Sequence, residues 1–251
     1  MTKPGLTKDA QKGIFTMAAL LKKQGLTDMN PVVHESEDGM TVRRKQAVVL
    51  RTTPITWGIP FDEVCFSKAW KSSLMLRPMP WDSMMFTEHT YLAKARETIH
   101  NQFIDEGVND WLFMMDSDVA CPPDYIVRLL AHHKADPSKK VLAGWYRVKS
   151  EPFYPVVYHY VGAKMNFKDI PIEWWKHYEV DEMKPELIEV DGAGAGGWLI
   201  HREVLEKIGH DPFDMHAGGE DLQLCRLITK AGYKMFVDGS LKLAHIGVGV
   251  A

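Results

Sequence analysis

Hydrophobic positions from residue 52 onward follow two alternating patterns. Short apolar runs such as WLFMM predict buried strands, and stretches with apolar residues three or four positions apart, such as AKARETIHNQF, predict amphipathic helices. The predicted strands cover 52–60, 82–88, 111–116 and 141–147, and the predicted helices cover 61–74, 90–107 and 122–134. Because strands that alternate with helices form a mostly parallel sheet covered on both faces, this region predicts a doubly wound α/β fold.

The second half of the chain has a less regular pattern. EPFYPVVYHY predicts strands, and the aromatic and acidic segment 170–190 predicts a hairpin or a lid. VDGAGAGGWLIHREVLEKIG predicts a glycine-rich turn that leads into a strand and a short helix. GGEDLQLCRLITKAG predicts another helix, and YKMFVDG and LKLAHIG predict two further strands.

Residues 1–51 differ from the rest of the chain. TKDAQKGIFTMAALLKKQG predicts an amphipathic helix that stops at Gly25, and the next segment is polar and rich in turn residues. We therefore predict an N-terminal helical and irregular extension over 1–51 and a single domain over 52–251.

Composition argues against several classes of protein. A formal net charge of −3 argues against a general polyanion binder, and three widely spaced cysteines argue against a disulfide framework or a structural zinc site. No apolar stretch approaches the roughly 20 residues of a membrane span, and the N-terminus lacks a signal-peptide core. These features predict a cytoplasmic protein with no membrane partner.

Two aspartates, Asp116 and Asp118, end the apolar run DWLFMM. No Lys or Arg follows within the segment until Arg128, so a cation from solution is the expected partner. Residues two apart on an extended segment point the same way, which would turn both carboxylates towards one cleft at the carboxyl edge of the sheet. Mg²⁺ and Mn²⁺ prefer such oxygens and share their other positions with phosphates. The alternative is a pair of turn acids that cap the following helix.

Three further residues have the right chemistry for a site. Glu220 and Asp221 begin a predicted helix, where the macrodipole stabilises an ionised carboxylate that can act as a base, although helix capping alone also explains acids there. His245, near the end of the last strand, is either a metal ligand or a histidine of the core.

The ordered set of motifs resembles the GT-A glycosyltransferases, especially the family 2-like enzymes and their bacteriophage relatives. The resemblance covers roughly residues 52–247: an opening strand that ends in IP, the AKARETIHNQF helix, DWLFMMDSDV, GAGAGGWLIHREVLEKIG, GGEDLQLC and a terminal histidine. It implies an α/β, Rossmann-like GT-A fold with a mostly parallel central sheet flanked by helices.

The resemblance also implies roles for individual residues. Asp118, with Asp116 and His245, would hold Mn²⁺ or Mg²⁺, and Asp116 would lie near the donor ribose or the metal. Arg96 is similar to the family's nucleotide-contacting arginine, and Pro60 and Gly194 are further implied donor-binding residues, with Gly194 lining the sugar pocket. Asp221 corresponds to the general base of inverting members, and Glu220 beside it would contact acceptor or donor.

The implied activity is metal-dependent transfer of a sugar from a nucleotide-diphosphate sugar, with a UDP-sugar as the favoured donor, to an acceptor hydroxyl. A modified DNA base is one acceptor consistent with bacteriophage relatives, in the host cytoplasm; a protein or a saccharide is the alternative. A nucleotidyltransferase and a non-catalytic sugar-nucleotide-binding module are the competing interpretations. The first would need a glycine-rich phosphate loop after the opening strand, where the sequence has IPFDEVCFSK.

Overall fold

The computed structural model describes residues 51–61, 67–76, 78–88, 90–162, 171–213 and 219–247. The chain divides between Thr52 and Thr53 into two units, and the elements below belong to the second. The helix predicted within residues 1–51 lies outside the described residues. The assignment of an extension and one domain therefore stays a prediction.

The described elements follow the predicted order. The strands are β1 (Thr56–Pro60), β2 (Ser83–Thr87), β3 (Trp111–Met115), β4 (Val119–Ala120), β5 (Val141–Trp145), β6 (Val157–Tyr160), β7 (Trp175–His177), β8 (Leu187–Val190), β9 (Gly192–Ala193), β10 (Gly197–His201), β11 (Met235–Lys242) and β12 (Ala244–His245). The α-helices are α1 (Ser67–Met75), α2 (Leu92–Glu106), α3 (Tyr125–Ala135), α4 (Arg202–Ile208) and α5 (Glu220–Lys230). Short 3₁₀ turns cover Ile172–Trp174 and Val180–Glu182.

A seven-stranded sheet with the order β2-β1-β3-β10-β5-β11-β8 forms the centre of the fold. β1 is parallel to β2 and β3, and β5 is parallel to β11. β10 is antiparallel to both its neighbours, and β8 is antiparallel to β11. Five of the seven strands therefore share one direction, and the prediction of a mostly parallel sheet is confirmed. The sequence did not predict that β10 is inserted antiparallel between β3 and β5.

Both faces of the sheet are covered, as β3 illustrates. Leu112 and Met114 pack into one buried cluster and Phe113 and Met115 into the other, because successive side chains of a strand point to opposite faces. Helices α2, α4 and α5 contribute to the first cluster and α3 to the second. A strand buried on both faces explains the unbroken apolar run WLFMM.

Several chain segments meet at one edge of the sheet. β3 and β5 both reach this edge with their carboxyl ends, and β10 starts there because Gly197 pairs with Met115. β12 pairs with β4, so that His245 lies opposite Val119. This two-residue ladder carries the last strand of the described chain to the turn that follows β3.

In the second half of the chain, β11 also differs from the prediction. β11 continues through Gly239 as one strand, whereas the sequence predicted a stop at that glycine. A Cβ on Gly239 would lie 1.9 Å from the carbonyl oxygen of Lys184, so the glycine permits a close backbone approach rather than a turn. In the segment predicted as a hairpin or a lid, β7 pairs antiparallel with β6.

Among the described residues, no helix has the length and apolar character needed to cross a membrane.

Candidate active site

An open cleft of about 960 Å³ lies at the edge of the sheet where β1 and β3 end. Seven of the predicted site residues line it: Pro60, Arg96, Asp116, Asp118, Glu220, Asp221 and His245. These residues come from five separate segments of the chain, and the fold brings them to one place. The cleft also contains Tyr146 and Lys149, which follow β5.

Arg96 is the buried cation of the cleft, with only 2% of its surface exposed. It lies on α2, and its Nη2 donates to both carboxylate oxygens of Asp116, at 2.7 and 2.8 Å. Its Nη1 donates to Glu220 Oε1 at 2.5 Å, at the start of α5. Burial alone would lower the pKa of Arg96, but the carboxylates of Asp116 and Glu220 raise it, so the guanidinium stays charged. Arg96 thus joins three distant segments through charged hydrogen bonds.

Asp118 has a different set of partners. Lys149 Nζ lies 2.5 Å from Asp118 Oδ2, and His245 Nε2 lies 3.6 Å from the same oxygen. His245 Nδ1 donates to the carbonyl of Arg147 at 2.9 Å, because a carbonyl can only accept, and this bond turns Nε2 towards Asp118. Burial would raise the pKa of Asp118, but hydrogen bonds from His245 and Lys149 lower it to about 2.

Asp221, one residue after Glu220, is a carboxyl group whose pKa is raised. Burial, opposed by the charge of Arg96, raises the pKa of Asp221 to about 6, and the neighbouring carboxylates of Glu220 and Asp116 contribute to the rise. Asp221 Oδ1 accepts from the backbone N–H of Leu222 at 2.8 Å, which fixes its orientation. A carboxylate poised near neutral pH beside an open cleft has the properties of a general base.

Gly194 lies apart from the other implied site residues, and its role in the sugar pocket stays a prediction. This glycine is not among the described residues that line the cleft; a Cβ there would lie 2.3 Å from the hydroxyl oxygen of Tyr146 and 2.6 Å from Val156. Tyr146 and Val156 themselves line the cleft, so Gly194 lies one layer behind it. A side chain at position 194 would clash with Tyr146 and Val156, so this close packing accounts for the glycine.

The structure corrects the expectation that the two aspartates lack a protein partner. Arg96 pairs with Asp116 and Lys149 pairs with Asp118. These partners are 20 and 31 positions apart along the chain, so the residues next to the aspartates do not reveal them. Asp116 and Asp118 do face the same cleft, but in a turn in which the N–H of Val119 donates to the carbonyl of Asp116.

The sequence analysis did not identify Lys149 and Tyr146 as site residues, although their position just after a predicted strand of the parallel sheet was a usable signal.

Comparison with known proteins supplies an independent test of the resemblance. Residues 91–209, just under half of the chain, match the model of the family "Glycosyl transferase family 2". The structure of A197 from STIV is similar, with a TM-score of 0.57 and 21% identity over 78% of this chain and 86% of that chain. The structure of GalNAc-T7 with UDP, GalNAc and Mn²⁺ gives a TM-score of 0.53 and 12% identity, over 97% of this chain and 53% of that chain. A search of curated proteins found no match.

The family match and the fold together confirm the resemblance. The match over residues 91–209 and the similar folds support a glycosyltransferase that resembles family 2 and has the GT-A fold.

Proposed function

We propose that this glycosyltransferase uses a divalent cation and a nucleotide-diphosphate sugar, and that it transfers the sugar to an acceptor hydroxyl with inversion at the anomeric carbon. The observation that carries the proposal is the single cleft in which Arg96, the Asp116–Asp118 turn, Glu220, Asp221 and His245 converge. Each part of the reaction can be assigned to residues of this cleft.

Asp118 and His245 are the residues that would hold Mn²⁺ or Mg²⁺. Their oxygen and nitrogen atoms lie 3.6 Å apart, and the bond from His245 Nδ1 to the Arg147 carbonyl orients the ring, as an outer partner does for a metal-bound histidine. Within the described residues no group of three or more His, Cys, Asp or Glu side chains converges as a metal cage. Two protein ligands suit a cation whose other positions are filled by water and substrate phosphate.

The charge of the cleft supports the same assignment. Among its described lining residues, four carboxylates face only two cationic side chains, Arg96 and Lys149. A diphosphate would be repelled by this excess of negative charge. A bound divalent cation supplies positive charge that balances the cleft and stabilises the departing diphosphate.

Asp116 has a different proposed role from Asp118, because both its oxygens accept from Arg96. We assign the Arg96–Asp116 pair to contacts with the nucleotide, next to the donor ribose. Pro60, at the end of β1, lines the same cleft and belongs to the donor side. UDP is the favoured nucleotide, in keeping with the similar GalNAc-T7 structure that contains UDP and Mn²⁺.

Asp221 acts as the general base in this proposal. It accepts the proton of the acceptor hydroxyl as the acceptor oxygen forms its bond to the anomeric carbon and the bond to the diphosphate oxygen breaks. Attack from the face opposite the leaving group inverts the configuration of that carbon. Glu220, held by Arg96, contacts the acceptor or the donor beside Asp221.

The acceptor has a hydroxyl group, and a modified DNA base is the acceptor we propose to test first. A hydroxymethylated single-stranded oligonucleotide should become labelled by a radioactive donor sugar, whereas the matched unmodified oligonucleotide should not. Labelling of a protein or an oligosaccharide instead of DNA would assign the acceptor to the alternative class.

Donor and metal binding can be tested by thermal shift. Nucleotide-diphosphate sugars are screened with and without Mn²⁺ against the wild type, Asp118→Ala and the control Asp124→Ala, which removes an exposed aspartate outside the cleft. One donor at 100 times its Kd should stabilise the wild type and the control by about 2.7 kcal/mol, only with Mn²⁺, and should leave Asp118→Ala unshifted. A shift without Mn²⁺, or one retained by Asp118→Ala, would contradict the metal assignment. Binding without turnover would favour the sugar-nucleotide-binding module.

A further inference from the structure

Lys149 occupies an unusual place in the cleft. It follows β5, and its aliphatic stem passes Gly247, where a Cβ would lie 3.4 Å from Lys149 Cδ. Its ammonium group reaches Asp118 Oδ2 at 2.5 Å, although 39% of the lysine side chain remains exposed. The carboxylate oxygen that Lys149 contacts is the one that also faces His245 Nε2.

An ammonium group and a divalent cation cannot share this position. A cation held by Asp118 and His245 would need the region around the carboxylate oxygen that Lys149 now contacts. Two like charges within about 4 Å repel each other strongly in a partly buried site. Lys149 must therefore leave Asp118 when a metal binds. Its flexible stem and partly exposed side chain allow such a movement, whereas Arg96 is fixed by hydrogen bonds to two carboxylates and is buried.

The displaced ammonium group has a new partner within the same cleft. Lys149 lines the cleft, and the diphosphate of a donor sugar brings the negative charge that Asp118 no longer offers to the lysine. On the basis of the proposed function, we propose that Lys149 is a displaceable counterion that pairs with Asp118 in the free enzyme and moves to the donor diphosphate when the metal binds. The lysine thereby weakens metal binding without nucleotide and strengthens it with nucleotide.

Titration of Mn²⁺ with and without UDP tests this exchange, with free Mn²⁺ followed by electron paramagnetic resonance. Lys149→Met keeps the stem and removes the charge; Lys149→Arg keeps the charge. Lys234→Met is the matched control, because it also breaks a lysine–carboxylate pair, with Glu189, outside the cleft. Lys149→Met should bind Mn²⁺ alone about tenfold more tightly than the wild type and should bind it more weakly in the presence of UDP, so the enhancement of Mn²⁺ binding by UDP should fall by more than about tenfold. Lys149→Arg and Lys234→Met should resemble the wild type.

Other outcomes overturn the proposal in distinguishable ways. Equal or weaker Mn²⁺ binding by Lys149→Met contradicts the exchange and leaves the metal site intact. Absence of Mn²⁺ binding by every variant, with and without UDP, contradicts the metal site of the proposed function and with it the exchange. UDP binding that needs Lys149 but no Mn²⁺ would make the lysine a permanent substitute for the metal.

Discussion

The two aspartates of the DSD turn are separated by one residue, yet they lie in two regions that differ in burial and in their charged partners. Asp116 lies in a buried network in which Arg96, only 2% exposed, also bonds Glu220 and thereby connects α2, the turn and α5. Asp118 lies in an open region, where an exposed lysine and His245 approach one of its oxygens. A buried charge keeps its partner because an unpaired charge there is costly, whereas an exposed charge can exchange partners. The buried region suits orientation of the donor and the base, and the open region suits reversible binding of a cation.

The largest expected effect concerns turnover in the buried region. Asp221→Asn removes the proposed base but keeps its shape and an oxygen that can accept from the N–H of Leu222. Turnover should fall about 10²- to 10⁴-fold, while donor affinity stays within a factor of about three, because a general base acts on the transition state. Steady-state kinetics and equilibrium binding of the donor check this, with Asp124→Asn as the control. Unchanged turnover would make Asp221 a helix cap only.

Stability should change most at Arg96. Arg96→Met leaves Asp116 and Glu220 without their shared cation, so we expect the free energy of unfolding to fall by about 3–5 kcal/mol. Denaturant unfolding followed by tryptophan fluorescence measures the loss. A loss below about 1 kcal/mol would contradict the contrast between the buried network around Arg96 and the exposed region around Lys149.

The pH dependence of kcat/KM should separate the two regions. Below a pH of about 6, Asp221 is protonated and cannot accept a proton, so kcat/KM should fall about tenfold per pH unit. Asp118, whose pKa is lowered to about 2, stays ionised over the same range, so protonation of Asp118 would not produce this limb. Rate profiles from pH 5 to 8 at constant ionic strength provide the measurement. A flat profile down to pH 5 would contradict the assignment of the base.

The smallest expected effect is on stability in the open region. Lys149→Met should change the free energy of unfolding by less than about 1 kcal/mol, because an exposed ion pair contributes little. Denaturant unfolding of both variants gives the ratio of this loss in the free energy of unfolding to the loss caused by Arg96→Met. Similar losses in the two variants would mean that Lys149 is a fixed structural cation, and would weaken the case for its displacement.

Local patterns predicted the elements well because each depends on neighbouring residues. The run WLFMM predicted β3, and the spacing of apolar residues in AKARETIHNQF predicted α2, which ends before Gly107. The break predicted at Gly239 was wrong, because a glycine that accommodates the backbone of Lys184 has the same sequence pattern as a turn glycine. The antiparallel insertion of β10 also could not be predicted, since its sequence does not specify which strands lie beside it.

For the candidate site too, some features could be predicted from the sequence and others could not. The resemblance named Arg96, Asp116, Asp118, Glu220, Asp221 and His245, and the fold brings all six to one cleft, whereas their roles stay predictions. Gly194 was expected to line the sugar pocket, but glycine in a sequence does not reveal whether a ligand or a neighbouring side chain, here Tyr146, fills the space beside it. Lys149 was missed because its partner is 31 residues away.

By itself the sequence determined the helices and most of the strands, the mostly parallel sheet and the chemical types available for a site. These follow from periodicity and side-chain chemistry, which are local properties. Only the tertiary structure decided which charges meet: a buried arginine for Asp116, an exposed lysine and a histidine for Asp118, and a position for Asp221 where burial brings its pKa to about 6. Electrostatic energies depend on distance and burial in three dimensions, and neither is contained in the spacing of residues along the chain.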